Sequence, residues 1–340
     1  MFGFTVFSYF SAKTPPILNS QGKTLQGSIA ELKKVKLNGH NEWISIRGKD
    51  KNKPILLFLA GGPGGSEMAA VRYHLAALEE NFVVVNWDQP GSGKSFGAVD
   101  TKTITLNTYI QDGYALTNYL CKRFGKDKIY LVGESWGSAL GIFLVKQYPE
   151  KYYSFIGTGQ MVDFSKTDEM NYEKAMEIAQ AKKDTKTIAK LKKNGRPPYY
   201  GSDVVWKGYT YASCLSTYMG KNPEIYNSKF DILRYVSSRE YGMLDKINYF
   251  MGLIDTFGNF YPKLYNIDLR KDYAKINVPI YFFIGRHDIN APTSLTEDYY
   301  KRLEAPEKKL VWFEHSGHSP WINESDKFIR ELLRVTVQKN

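Results

Sequence analysis

The pentapeptide Gly133–Gly137 (GESWG) places a serine between two glycines at the spacing of the G-x-S-x-G pattern. An apolar strand-like run at residues 128–132 (KIYLV) leads directly into it, and a segment with helical spacing follows at 136–148. A serine in such a strand-turn-helix corner is raised above the carboxyl edge of a parallel sheet. This context predicts that Ser135 is a nucleophile. A glycine-rich turn with an incidental serine is the alternative.

A serine hydroxyl becomes an effective nucleophile only when a base accepts its proton and a third group orients that base. Asp288 follows the strand-like run at residues 279–285 (PIYFFIG), and His318 follows the next such run, at 308–313. The order serine, aspartate, histidine along the chain is the order of the α/β-hydrolase arrangement. We therefore predict a catalytic triad of Ser135, Asp288 and His318.

The chain has five histidines, and one of them competes with His318 for the role of base. His315 lies in the same segment, but the Gly317-His318 turn gives the second histidine the freer backbone, so we favour His318. A metal site built on these two histidines would need further ligands, and Glu314 alone does not complete one. We expect His287 to be a surface or structural residue.

A second glycine-rich segment, Gly61–Gly65 (GGPGG), directly follows the apolar run at residues 54–60 (PILLFLA). A loop at that place can direct backbone N–H groups at a reacting carbonyl group. We predict that Gly61 and Gly62 form one half of an oxyanion hole and that the N–H of Trp136 forms the other half. Each such donor typically contributes about 3–4 kcal/mol to transition-state stabilisation.

Residues 88–97 resemble two nucleotide-binding patterns but match the glycine spacing of neither. Gly93–Ser95 (GKS) resembles the end of a phosphate-binding loop, but Asp88 lies where that pattern requires glycine. Gly91 would begin a dinucleotide-binding fingerprint, but Phe96 lies at its third glycine position. The spacing therefore argues against a nucleotide site.

The glycine-rich and serine segments together resemble the proline iminopeptidase group of the α/β-hydrolases. AGGPGGS at residues 60–66 is similar to the family's HGGPG loop, DQPGSGKS at 88–95 to its D-Q-R-G-x-G-x-S segment, and GESWGS at 133–138 to its nucleophile turn. The later GRHD and GHSP tetrapeptides also fit. The chain departs from the family pattern at Ala60, usually histidine, and at Pro90, usually arginine.

This resemblance implies an eight-stranded sheet, a helical cap over the site, no metal or organic cofactor, and cleavage of an N-terminal residue, often proline, from peptides. The alternation of short apolar strands with helices independently predicts an α/β fold, with a mostly parallel sheet covered by helices on both faces. Because residues 160–268 lose the buried strands, we predict that they form the helical cap. Residues 31–159 and 269–340 would then form the core, and 1–30 an N-terminal extension.

The chain carries a formal net charge of +11, and more than half of the excess lies at residues 182–196. This run has no aromatic residue, which disfavours a nucleic-acid groove and favours a solvated helix face. Attraction to an anionic surface is the alternative.

The location of the protein is predicted from its cysteines and its first residues. Cys121 and Cys214 could form one disulfide at most, and so few cysteines suit a reducing, cytoplasmic compartment. The apolar segment 1–10 (MFGFTVFSYF) is too short to span a bilayer. We expect it to be packed or interfacial, with a membrane contact as the less favoured interpretation.

The sequence therefore predicts a serine hydrolase, of the proline iminopeptidase-like aminopeptidase type, that acts on a short peptide or small molecule through an acyl-enzyme. A carboxylesterase or lipase-like hydrolase on the same core is the first alternative. A non-catalytic binding protein with this fold is the second, and an intact triad argues against it.

Two predictions concern the cap. Its aromatic residues should bound an apolar pocket or, alternatively, form the core of the cap; they are Tyr199, Tyr200, Trp206, Tyr209, Tyr211, Tyr249, Phe250, Phe257, Phe260 and Tyr261. An aminopeptidase also needs a carboxylate for the substrate's α-ammonium. The family's cap often carries a W-E-G segment for this purpose, whereas the nearest match here has Lys207 in place of the glutamate. We therefore expect poor proline iminopeptidase activity beside measurable esterase activity, unless Glu224 or Glu240 supplies the acid.

Overall fold

One mixed β-sheet organises the fold in the computed structural model, which describes residues 12–228 and 231–337. Its strands are β1 Ile29–Leu37, β2 His40–Gly48, β3 Ile55–Leu59, β4 Val83–Asp88, β5 Ile129–Glu134, β6 Tyr152–Thr158, β7 Ile280–Gly285 and β8 Lys308–Phe313. Their spatial order is β1-β2-β4-β3-β5-β6-β7-β8. The pairs β1–β2 and β2–β4 are antiparallel and the remaining pairs are parallel. The predicted eight-stranded, mostly parallel sheet is confirmed.

Helices cover both faces of this sheet and also make up most of the segment between β6 and β7. They are α1 Met68–His74, α2 Leu106–Phe124, α3 Trp136–Gln147, α4 Phe164–Ala181, α5 Thr185–Asn194, α6 Val204–Gly220, α7 Ile232–Val236, α8 Met243–Met251, α9 Phe257–Phe260, α10 Leu269–Asp272, α11 Thr293–Arg302, α12 Pro320–Asn323 and α13 Ser325–Val335. One face packs on α2, α3 and α11, and the other on α1, α12 and α13. This arrangement confirms the predicted fold class.

The central strand β3 shows why the sheet is buried on both sides. All five of its residues (ILLFL) are buried. Leu57 and Leu59 belong to one apolar core, whereas Leu56 and Phe58 belong to the other, because successive side chains of a strand point to opposite faces. Burial of each such side chain stabilises the fold by about 1.5–3 kcal/mol.

Helices α4 to α9 lie between β6 and β7 in the chain, within the region predicted to be a cap. Three of them share a small apolar core that includes Tyr172, Leu191 and Leu215. The basic run lies largely on α5, where Leu191 is the buried residue and Asp184 caps the helix by accepting the N–H of Thr187 at 3.0 Å. The basic side chains therefore lie on a solvated helix surface. The predicted domain boundaries stay a prediction.

Turn signals and apolar spacing in the sequence predict a strand that begins at Val35 and a helix over residues 67–78, and the structure differs from both predictions at one boundary. Strand β1 begins at Ile29 and not at Val35, because residues 29–34 pair with β2 as an edge strand whose side chains are mostly not buried. The predicted helix at residues 67–78 ends at His74, since Leu75 leaves helical geometry, and a short 3-10 helix follows.

Cys121 and Cys214 are both free thiols. Within the ranges that the structure describes, no helix is long and apolar enough to cross a membrane. The predicted packing or membrane contact of residues 1–10 lies outside the described residues.

Candidate active site

Ser135 lies in the turn between β5 and α3, at the carboxyl edge of the sheet. Its φ is 53°, in the left-handed region that costs a non-glycine residue about 1–3 kcal/mol. A Cβ on Gly133 would overlap the carbonyl of Gly137, and one on Gly137 would overlap the carbonyl of Leu59. The two glycines therefore allow strand, turn and helix to approach closely, and the strained turn presents the serine at the sheet edge.

Asp288 follows β7 and is held by the backbone of its own turn. Its Oδ1 accepts the N–H groups of Asn290 at 2.8 Å and Ala291 at 3.0 Å. Its Oδ2 lies 3.0 Å from Nδ1 of His318, and the residue is only 5% exposed. Two backbone donors thus orient the carboxylate so that its second oxygen meets the imidazole.

His318 follows β8 and lines the same cavity as Ser135. Burial disfavours the imidazolium, but the charge and hydrogen bond of Asp288, together with the Glu134 carboxylate, outweigh burial and raise the pKa of His318 to about 9. Because Nδ1 faces Asp288, Nε2 is the ring nitrogen that is left to accept a proton. The structure thus brings together the three residues predicted as a triad.

The other two histidines considered in the sequence are engaged elsewhere. The His315 ring stacks on Tyr226 with a centroid distance of 4.2 Å, and its Nδ1 lies 3.2 Å from the carbonyl oxygen of Glu224. His287 Nε2 lies 3.3 Å from a carboxylate oxygen of the same Glu224. Both rings therefore connect the sheet edge to the helical segment, and neither pairs with Asp288.

The oxyanion hole predicted from Gly61, Gly62 and Trp136 stays a prediction, and the structure shows how each of these residues is placed. The N–H of Gly61 donates to Oε1 of Glu67 at 3.1 Å, so it is already used by a side chain. Gly62 lines the cavities beside Ser135. Trp136 is the first residue of α3, where a backbone N–H has no acceptor inside the helix. Gly62 and Trp136 therefore remain the candidate donors.

Gln89 supports this corner, although the sequence did not single it out as a functional residue. Its side-chain N–H donates to the carbonyl of Ala60 at 3.0 Å, and its Oε1 accepts the indole N–H of Trp136 at 2.9 Å. The amide thereby joins the base of the glycine-rich loop to the residue after the nucleophile. Its presence in the DQPGSGKS segment was the available signal.

Two cavities meet at Ser135. The wide chamber, of about 840 Å³, also contains His318 and the carboxyl groups of Glu67 and Glu134. The narrow chamber, of about 230 Å³, has mostly apolar walls; these include Met161, Phe164, Val205, Tyr209, Tyr211, Phe257 and Tyr261. Ser135 is thus accessible to a substrate that places different groups on its two sides.

The wide chamber contains a carboxyl pair, Glu67 and Glu134, that the sequence analysis did not identify. Glu134 is 4% exposed. Glu67 Oε2 and Glu134 Oε1 are buried without a hydrogen-bond partner among the described residues, and we call them the open oxygens. Burial, and then repulsion from the Glu134 carboxylate, raise the pKa of Glu67 well above its usual range. The pair therefore tends to keep one proton between its two carboxyl groups, and both groups are charged only when a cation takes the place of that proton.

The narrow chamber also contains a buried carboxyl group, Asp168, which is 2% exposed. Its two oxygens accept hydrogen bonds from the hydroxyl groups of Tyr261 at 2.8 Å and Tyr265 at 3.0 Å. Burial raises the pKa of Asp168 to about 6 although the tyrosine hydrogen bonds oppose the rise. The protein itself thus satisfies both oxygens of this carboxylate.

The prediction that the cap aromatics bound the pocket is right for half of them. Tyr209, Tyr211, Tyr249, Phe257 and Tyr261 line one or both chambers. Phe260 packs on the Trp136 ring at 5.1 Å, whereas Tyr200 and Trp206 are each 61% exposed.

The expected repulsion of an ammonium group by Lys207 has no basis in the structure. Lys207 pairs with Asp203 at 2.8 Å and is absent from the described residues that line the two chambers. The alternative acids are also elsewhere, because Glu240 is buried against Arg72 and the Glu224 side chain is 68% exposed. The acids of the chambers are instead the carboxyl pair and Asp168.

The sheet, the strained serine turn and the buried aspartate–histidine pair define a class that the comparisons with known proteins confirm. The chain belongs to the α/β-hydrolase family, since residues 54–325 match the sequence profile of the family described as alpha/beta hydrolase fold. It is a hydrolase.

Its relatives include peptidases. The chain is 32% identical to the probable aminopeptidase YbaC of Bacillus subtilis strain 168, over 90% of this chain and 96% of the relative. It is 26% identical to a proline iminopeptidase of Saccharolobus solfataricus, over 89% and 90% of the two chains. Among solved structures, the proline iminopeptidase of Mycobacterium smegmatis superposes with a TM-score of 0.63 at 16% identity, covering 91% of this chain and 98% of that one. The resemblance to the proline iminopeptidase group is thereby confirmed.

Proposed function

We propose that this hydrolase is a serine aminopeptidase that removes the N-terminal residue of short peptides through an acyl-enzyme. The observation that carries the proposal is the carboxyl pair beside Ser135: Glu67 and Glu134 line the cavity that also contains the nucleophile, they repel each other, and each keeps one open oxygen. A buried carboxylate requires a donor or a cation. The α-ammonium of a peptide supplies both.

In the acylation step, His318 Nε2 accepts the proton of the Ser135 hydroxyl while Ser135 Oγ attacks the carbonyl carbon of the first peptide bond. The resulting oxyanion accepts hydrogen bonds from the N–H groups of Gly62 and Trp136. Asp288 keeps the imidazole in the correct tautomer and stabilises the imidazolium that forms. The C–N bond then breaks, and His318 donates its proton to the leaving amine.

In the deacylation step, water takes the place of the departed amine. His318 accepts a proton from the water, whose oxygen attacks the ester carbon, and the same two N–H groups stabilise the second oxyanion. Breakage of the ester bond returns the proton to Ser135 Oγ and releases the N-terminal amino acid. Atoms balance with one water consumed for each peptide bond cleaved.

The placement of Glu67 and Glu134 next to Ser135 suits an N-terminal residue. The α-ammonium is separated from the scissile carbonyl carbon by one atom, so its receptor must lie close to the serine. A methyl group added at Gly61 would lie 3.2 Å from Ser135 Cβ and 3.4 Å from Glu67 Oε1. Glu67 and Ser135 therefore border the same small volume, and Glu134 directly precedes the serine.

Asp168 is the competing ammonium receptor, since it also lies in a chamber that reaches Ser135. Its oxygens already accept the hydroxyl groups of Tyr261 and Tyr265, so a cation there would have to share them. The narrow chamber instead suits the side chain of the N-terminal residue, because its walls are aromatic and its volume is about 230 Å³. Small apolar residues, proline among them, fit this description.

An esterase of small acyl esters is the second candidate. The same nucleophile, base and N–H donors act on esters, and the wide chamber has room for an uncharged acyl group. A neutral substrate would, however, leave the open oxygens of the carboxyl pair without a partner, which is unfavourable once water is displaced.

Three substrates separate these functions: proline p-nitroanilide, its N-acetylated form, and p-nitrophenyl acetate. An aminopeptidase should cleave the free-amine anilide with a kcat/KM about 10–100-fold above that of the acetylated form, since a charged hydrogen bond contributes about 1.5–3 kcal/mol. Equal cleavage of both anilides, or ester hydrolysis alone, would favour the esterase. Activity on none of them would favour a non-catalytic protein. Ser135→Ala is the control for contaminating hydrolases.

A further inference from the structure

A second cluster of chemically active side chains lies away from Ser135, where β2 meets α2. His40 and Glu42 are on β2, and Asp112 is on α2. One ligand atom from each of the three lies within 4.8 Å of the other two, and His40 Nδ1 is 3.6 Å from Asp112 Oδ2. A nitrogen and two carboxylate oxygens therefore converge on one point.

The converging atoms are ones that form no hydrogen bond with the other described residues. Glu42 Oε1, Asp112 Oδ2 and His40 Nδ1 are buried and have no hydrogen-bond partner in the described part of the chain. Glu42 is 0% and Asp112 1% exposed. Buried polar atoms in native proteins are nearly always satisfied, so three unsatisfied atoms that face one another indicate a missing partner.

The remaining oxygen of each carboxylate is held by an outer donor. The indole N–H of Trp87 donates to Glu42 Oε2 at 2.6 Å, and the side-chain amide of Asn38 donates to Asp112 Oδ1 at 2.8 Å. Metal sites commonly have such an outer layer of hydrogen bonds, which orients each ligand so that its remaining lone pair points at the metal. Here it leaves one oxygen of each carboxylate for the centre of the cluster.

We propose that His40, Glu42 and Asp112 bind a divalent transition-metal ion, with water completing its coordination. The mixed donor set suits Zn²⁺, which binds imidazole and carboxylate, and also Mn²⁺, a transition metal that accepts carboxylate, better than Mg²⁺ and Ca²⁺, which prefer sites made of oxygen ligands alone. The His40 side chain is 33% exposed, which provides an entry path. The ion would link strand β2 to α2 and so stabilise the fold.

A shared proton is the competing partner for the same atoms. Burial and the Asp112 carboxylate raise the pKa of Glu42 to about 9, so a protonated Glu42 could donate to Asp112. That arrangement satisfies the two acids and leaves Nδ1 of His40 with only its 3.6 Å approach to Asp112 Oδ2, which is longer than a hydrogen bond. The metal satisfies all three atoms, and the two partners make opposite predictions for variants.

The experiment measures Zn²⁺ and Mn²⁺ binding to the full-length protein after treatment with a chelator and dialysis. Calorimetric titration should give one ion per chain at this site, and a hundredfold excess over Kd should raise Tm by about 5 °C. Glu42→Gln and Asp112→Asn should abolish that binding, and His40→Ala should weaken it by about tenfold or more.

Two control variants remove other histidine–carboxylate pairs. Glu224→Gln removes the exposed partner of His287, and His318→Gln removes the active-site imidazole; both should keep the proposed site intact.

Three outcomes would overturn the metal proposal. One is failure to bind either ion. Another is binding that His40→Ala leaves unchanged. The third is a Glu42→Gln variant that is more stable than the parent in metal-free buffer while the parent gains nothing from either ion, which would identify the shared proton. If the two acid variants do not fold, His40→Ala still decides, since its side chain is partly exposed.

Discussion

The two chambers that meet at Ser135 each contain buried carboxyl groups, but in opposite states. In the narrow chamber, Asp168 accepts hydroxyl donors on both oxygens. In the wide chamber, Glu67 and Glu134 each keep an open oxygen that no described residue satisfies. A buried acid whose lone pairs are filled by its own chain holds the fold together, whereas one left open is available to recognise a ligand. The identity of the residue type does not reveal which of the two it is.

The largest expected effect is on the residue that both chambers share. Ser135→Ala should lower kcat by about 10⁶ for anilide and ester substrates alike, because the nucleophile is lost. Circular dichroism should show an unchanged fold. A fluorophosphonate probe should label the parent at Ser135, and labelling that persists in the variant would contradict the assignment.

Asp288→Asn should lower kcat by about 10⁴ on both substrates, because the amide would hold His318 in the wrong tautomer. His315→Ala is the matched control, since its ring stacks on Tyr226 away from the aspartate, and it should have a mild effect. An equal loss in His315→Ala and His318→Ala would reopen the choice of base.

Glu134→Gln tests whether the wide chamber, and not the narrow one, binds the substrate's ammonium group. It should lower the ratio of kcat/KM for proline p-nitroanilide to that for p-nitrophenyl acetate by about 10–100-fold, because a charged partner of the ammonium is removed. Asp168→Asn is the control in the other chamber, and should change both substrates together and leave the ratio unchanged. If Asp168→Asn lowers the ratio and Glu134→Gln does not, the ammonium receptor lies in the narrow chamber.

The pH dependence gives a separate test of Glu134. His318 accepts a proton only when neutral, and its pKa is raised to about 9, so kcat/KM for a neutral ester should rise with pH through about 9. The Glu134 carboxylate is one cause of the rise, so Glu134→Gln should move the acid limb to lower pH. Each unit of that shift increases the neutral imidazole at pH 7 by about tenfold. A limb that moves upward or stays in place would disprove this coupling.

The smallest expected effect concerns the wall of the narrow chamber. Tyr209 lines it, so Tyr209→Ala should admit larger N-terminal side chains and change the preference between phenylalanine and proline anilides by about tenfold or less. Trp206→Ala is the matched control, because that ring is equally exposed and lines neither chamber in the described residues. The same shift in both variants would assign it to the cap surface in general.

The fold class and the residues of the predicted triad could be derived from the sequence because their signals are local. Ser135, Asp288 and His318 each follow an apolar strand within a few residues, and the carboxyl ends of parallel strands meet at one edge of a sheet. Strand, turn and small residue are neighbours along the chain, so periodicity and spacing are sufficient to identify them. The aromatic residues of the cap were predicted less well, because no local pattern distinguishes a ring that faces a cavity from one that packs or is exposed.

The carboxyl pair and the His40 cluster were decided by the tertiary structure alone. Glu67 meets Glu134 because β3 pairs with β5, with Leu59 opposite Gly133, and β4 is placed on the other side of β3. Glu42 meets Asp112 because α2 packs on the face of the sheet to which β2 contributes. Strand order and helix packing depend on how apolar surfaces from distant segments are buried together. No short stretch of sequence shows which distant segments those are. The sequence by itself determined which residues could do the chemistry; the packing of distant segments decided which charges lie beside them.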